Sequence, residues 1–182
     1  MMNIILKTIL PLILFFSVSL KEGPLRNAPT KEEDELFEMI NTYRKSLDLP
    51  AVPLSKALNK VAQVHARDLM ENYSQGKRCN MHSWSKNGPW SACCYTDNHK
   101  KANCMWDKPK EIAGYDSPGY EVAYWHSAIA TPGAALEVWK KSPGHHAVLA
   151  NLGPFKQAKW KAMGVGIYQQ YAVVWFGEMG DL

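Results

Sequence analysis

The chain has no run of five or more basic residues, and its formal charge is only +4 over 182 residues. A nucleic-acid binder normally carries a basic stripe, so that class is set aside. No apolar stretch makes a comfortable membrane span: TILPLILFFSVSL, residues 8–20, is short and broken by Pro11. Neither G-x-S-x-G nor H-E-x-x-H occurs, which removes the usual signatures of the serine hydrolases and the zinc peptidases. Cysteine is absent everywhere except between Cys79 and Cys104, and no internal repeat is visible.

What is present begins with export. MMNIILK offers Lys7 as its only early charge, and the apolar run after it has the length of a signal-peptide core. Ser17 and Ser19 permit cleavage after Ser19, so residues 1–19 read as a signal peptide; the alternative is a retained anchor. Cleavage removes one Lys and no acid, taking the charge from +4 to +3. The expected location is secreted or periplasmic, with no stable membrane span once the signal is gone. In an oxidising compartment the four cysteines, Cys79, Cys93, Cys94 and Cys104, read as two disulfides. A bridge between adjacent Cys93 and Cys94 is discounted as strained, so Cys79 and Cys104 are expected to pair with those two, in either order. The competing reading is a metal knuckle built from the same cysteines with His82 and His99.

Residues 20–29 read as a linker, and 30–182 as a single domain. Thr30 and Glu33 form a capping-box pattern, followed by Leu36, Phe37, Ile40, Tyr43 and Leu47 at helical spacing. Pro50 places the end of that helix near Asp48. Ser55 opens a second helix whose apolar face includes His65, read as a buried histidine with one hydrogen bond, and Gly76 is expected to stop it. Residues 78–118 read as an irregular insertion rich in Cys and Trp. EVAYWHSAI, residues 121–129, fits either a strand or a short helix. Thr131 caps a helix over AALEVWKK, and His145 is expected to begin another. MGVGIY and YAVVWFG, separated by Gln169 and Gln170, read as a hairpin, and the mixture indicates an α+β fold.

Four stretches then stand in order: NMHSW with His82, PGYEVAYW with Glu121, ALEVWKKSPGHHAVLAN with His145, and MGVGIYQQYAVVWFGE. Together they resemble the CAP superfamily, or SCP domain, in its bacterial form, over roughly residues 33–178. The resemblance implies a three-layer α-β-α sandwich with a central antiparallel sheet. It also implies a cleft carrying two histidines and usually two glutamates. By matching motif, His82 takes the place of the "HS" histidine, Glu121 the "GEN" glutamate and His145 the "GH" histidine. The second glutamate has no counterpart: the position three residues after Trp139 is Ser142, and Glu137 lies two residues before that tryptophan.

Two imidazoles and one carboxylate suit zinc, so His82, His145 and Glu121 are candidate ligands. The same three groups could instead form a metal-free polar network. Two functions follow. One is a binding or interaction module for a small apolar ligand, lipid, peptide or surface protein, with Trp84, Trp90, Trp106 and Trp125 as candidate groove residues. The other is a metal-assisted hydrolase of peptidase or esterase type, with Glu121 as general base and catalytic histidines His82 and His145. Ser83 as a nucleophile is a weaker variant of the second.

Overall fold

The computed structural model describes residues 28–76 and 78–181, so the signal-peptide reading of 1–19 and most of the 20–29 linker lie outside the described residues. Three strands form an antiparallel sheet in the order β1-β3-β2: β1 is Gly119–Trp125, β2 Ala162–Tyr168 and β3 Tyr171–Gly177. The 121–129 ambiguity thus resolves as a strand through Trp125. The hairpin forms as expected, with Tyr168 opposite Tyr171 and Gln169 at φ 50° making the turn.

Alternation along β3 divides the core. Ala172, Val174 and Phe176 face α1 (Lys31–Ser46), α5 (Pro132–Lys141) and α6 (Pro143–Leu149). Tyr171, Val173 and Trp175 face α2 (Lys56–Asn72) and the disulfide-bearing segment. Helices on both sides of one antiparallel sheet give the α-β-α sandwich. The expected helix starts are present at both early caps: Thr30 and Glu33 close a full capping box, and the Ser55 hydroxyl accepts from the Leu58 N–H at 3.0 Å. α2 ends at Asn72, before Gly76, where the chain adopts φ 76°.

Two glycines set the depth of α2 on the sheet. A Cβ on Gly164 would lie 2.0 Å from the Leu58 carbonyl carbon, and one on Gly166 would lie 2.3 Å from that of Ala62. The helix backbone therefore rests directly on β2. The outward N–H groups of this edge strand are all taken. Met163 donates to the Pro53 carbonyl (2.9 Å), Val165 to Asn59 Oδ1 (3.0 Å) and Ile167 to Glu33 Oε1 (2.9 Å).

Residues 78–118 are less irregular than expected. They contain two short helices, α3 (Ala102–Trp106) and α4 (Lys108–Ala113), and the disulfides Cys79–Cys94 and Cys93–Cys104. Each bridge joins an outer cysteine to one of the adjacent pair. With all four sulfurs in disulfides, the metal-knuckle alternative has no thiolates, and His99 instead bonds the Tyr95 hydroxyl at 2.8 Å.

Candidate functional site

α2 presents His65 to the sheet, fully buried, and β1 brings Glu121 to meet it. Glu121 lies opposite Trp175 on the α2 face of the sheet and is only 5% exposed. Burying a carboxylate is costly unless each oxygen finds a donor. Here Oε2 meets His65 Nδ1 in a short contact, and Oε1 meets His82 Nδ1 at 2.6 Å. Burial alone would raise the Glu121 pKa; the two imidazoles outweigh it and hold the group well below the usual carboxylate range. The other nitrogen of His65 donates to the Ser83 carbonyl at 3.0 Å. Both ring nitrogens of His65 thus have an oxygen partner, Glu121 on one side and Ser83 on the other.

His65 is the residue whose role the sequence understated. Its place on an apolar stripe gave one expected hydrogen bond; it makes two, one of them to the central carboxylate. The available signal was a long-range one, His65 on one face of a helix and Glu121 in a strand, and nothing local joins them.

The disulfide-bearing segment builds the wall over His65. Trp84 stacks on the imidazole with ring centroids 4.1 Å apart and planes 8° from parallel. Trp84 is held by a two-way backbone pairing with Cys93, at 2.8 and 3.0 Å. The buried Lys108 ammonium lies 5.8 Å from the Trp84 ring centroid and is itself held by the Ser91 carbonyl and Glu111. A short turn aims His82: its N–H donates to Asn80 Oδ1 at 3.1 Å, and the Ser83 N–H to the Asn80 carbonyl at 3.0 Å. The Ser83 hydroxyl is occupied by Tyr95, accepting from its N–H at 2.9 Å and donating to its carbonyl at 3.3 Å. That occupancy leaves the nucleophile variant without support.

His145 approaches from the other side. α6 begins at Pro143, two residues earlier than expected, because Pro fits the first turn of a helix, where its missing N–H costs nothing. The adjacent histidines then diverge. His146 Nε2 bonds the Tyr43 hydroxyl at 2.7 Å, while the His145 ring lies 6.0 Å from that of His82. The His145 Nδ1 atom is buried and has no hydrogen-bond partner. Burial lowers the His145 pKa first and the neighbouring His82 adds to the effect; Glu121 opposes both, and the value falls to about 4. The ring is therefore neutral at physiological pH, the form that coordinates metal or accepts a proton.

Among the described residues, neither Glu137 nor Ser142 adds a second carboxylate beside Glu121 and the histidines. Glu137 is exposed and pairs with Lys140 at 2.6 Å, and Ser142 forms the junction between α5 and α6. His65 occupies the other side of Glu121. Among the described residues, no group of three or more His, Cys, Asp or Glu side chains is arranged to hold a metal. The donor set that remains is two imidazoles: His82 through Nε2, since Nδ1 is used by Glu121, and His145. Of the candidate groove tryptophans, Trp84 is buried, and Trp125 is half-buried in the core on the α2 face. Trp90 and Trp106 line separate cavities.

Comparison with known proteins agrees with this architecture. Two solved structures share the fold. One is an extracellular protein containing an SCP domain from Bacillus anthracis, with TM-score 0.55 and 19% identity, covering 81% of this chain and 40% of that one. The other is a cysteine-rich secretory protein from Staphylococcus aureus, with TM-score 0.53 and 15% identity, covering 83% of this chain and 41% of that one. The chain thus spans about two fifths of the solved chains it matches. No significant match was found among curated proteins. The family model of the cysteine-rich secretory proteins, CAP, matches residues 37–176, and the chain belongs to that family.

Proposed function

We propose that the protein is an exported binding module whose cleft receives its ligand between His82 and His145. One observation carries this reading over the hydrolase: both oxygens of Glu121 are engaged, by His65 and His82. A general base needs a lone pair free to take a proton from water. Glu121 instead orients His82 through Nδ1, so Nε2 is the ring nitrogen that Glu121 leaves for a ligand. The disulfides and the extracellular character of the structural neighbours support export.

Two imidazoles are only a partial donor set for a divalent metal such as zinc, which would enter as a secondary component of that binding. His145 supplies a neutral ring with a buried, unpartnered nitrogen, and Glu121 behind His82 is the usual arrangement of a carboxylate supporting a ligating histidine. A bound zinc would supply Lewis acidity toward an oxygen or nitrogen ligand. With two protein nitrogens rather than three or four, binding is expected to be weak and completed by the incoming ligand.

Titration of the full chain with zinc at pH 7, followed by calorimetry, tests the reading. Binding that disappears in both His82→Ala and His145→Ala, with no hydrolysis of ester or peptide substrates, is the expected result. Turnover lost in Glu121→Gln would return the hydrolase to first place.

A further inference from the structure

Tyr120 precedes Glu121 in β1, and strand alternation sends its ring to the opposite face of the sheet. There it lies 5.7 Å from Trp106 of α3, 5.3 Å from Phe155 and 5.4 Å from Trp160, between ring centroids. These four rings, with Gln157 and Glu178, line a cavity of about 390 Å³, within the size range of small-molecule sites. Trp106, Tyr120 and Phe155 are half-buried, so their rings are open to an entering group. The Trp160 indole N–H is spent on the Val148 carbonyl at 2.9 Å, which leaves its ring rather than its donor to the cavity.

Among the described residues, Glu178 is the only charged one in the lining. It is exposed, one oxygen accepts from the Lys159 N–H at 2.7 Å, and it belongs to none of the ion pairs between described residues. Its charge reaches Tyr120: burial raises the pKa of that phenol and Glu178 adds to the rise. Aromatic faces and a carboxylate share one electrostatic preference. Both attract a cation and repel an anion, and a neutral apolar guest gains from the rings but not from the acid. The cavity by α2 and α4 differs, because its lining mixes Lys60 and Arg67 with Asp68, Glu71 and Glu111 and so selects no sign.

We propose that the pocket formed by Trp106, Tyr120, Phe155, Trp160 and Glu178 is a binding site for an alkylated ammonium group of the choline type. The ammonium methyls pack on the rings, and Glu178 neutralises the charge from the rim. This site lies on the sheet face opposite Glu121 and stands independently of the histidine cleft.

Titration of the full chain with choline chloride, read by tryptophan fluorescence against sodium chloride at equal ionic strength, tests it. Saturable binding is expected. Glu178→Gln, a surface change with little folding risk, is expected to weaken it roughly five- to thirtyfold. The uncharged analogue 3,3-dimethylbutanol is expected to bind more weakly by a similar factor. Trp106→Ala, checked for folding by circular dichroism, provides the second variant and is expected to weaken binding as well. Sedimentation with phosphatidylcholine vesicles separates the sources: cosedimentation assigns a lipid headgroup, and choline binding without it assigns the free cation. No saturation by choline, equal affinity for the neutral analogue, or unchanged affinity in both variants would overturn the proposal.

Discussion

The two faces of the sheet solve opposite problems. Toward α1, α5 and α6 the strands present only apolar and aromatic side chains, Val122, Tyr124, Val174 and Phe176, and the polar groups buried on that side, such as Arg44 and the Trp139 indole N–H, bond to backbone carbonyls. Toward α2 the same strands present Trp175, Val173 and, one position from Val122, the carboxylate of Glu121. On the first face the strand side chains themselves need only volume. The second needs donors at fixed places, and it recruits them from α2 and from the disulfide-bearing loop. A functional group buried in a sheet is therefore built by whatever covers that sheet as much as by the strand that bears it.

The comparison is broken most severely at Glu121. Glu121→Ala leaves His65 buried without its carboxylate and is expected to cost about 3–5 kcal/mol, measured by urea unfolding. A loss below about 1 kcal/mol would show that the polar face is held by packing after all. Reduction ranks next. Only the α2 face is pinned covalently, and opening the Cys79–Cys94 loop alone, by replacing both cysteines with serine, is expected to cost about 3 kcal/mol. The thermal melt should then fall while the α1-side core retains its circular dichroism.

Acid acts on the site through His145, with His82 and Glu121 as the titratable groups facing it. The unfolded ring takes a proton near 6.5 and the folded ring resists until about 4, so the unfolded state binds more protons between those values. Stability is present in full above pH 6.5 and is lost as pH falls toward 4, by at most about 3 kcal/mol. His145→Gln should flatten that slope in urea titrations between pH 4 and 6.5 and leave the pH 7–8 region unchanged. The smallest effect is expected outside both faces. Lys140→Ala removes an exposed pair with Glu137 and a contact with the Tyr43 ring, and should shift the urea midpoint least of these variants, by an amount that salt reduces.

The sequence disclosed the frame more fully than the site. Thr30, Ser55 and Thr131 cap helices where their patterns indicated, and the terminal hairpin closes on Gln169 and Gln170, because caps and strand alternation are encoded within a few residues. The role of His65 was hidden because its partners, Glu121 and Ser83, are distant in the chain and are chosen by tertiary packing. α6 starts two residues before the expected His145, because proline suits a first helical turn and Pro143 therefore begins the helix. The two short helices of the inserted segment escaped for a different reason: each spans six residues or fewer, too short for periodicity to register.

The closed edge of β2 has a consequence for assembly. With Met163, Val165 and Ile167 already donating to Pro53, Asn59 and Glu33, a second chain arriving there finds no ladder to extend. Oligomers that grow by adding strands are barred on that flank, and replacing Asn59 or Glu33 would free only the Val165 or the Ile167 N–H.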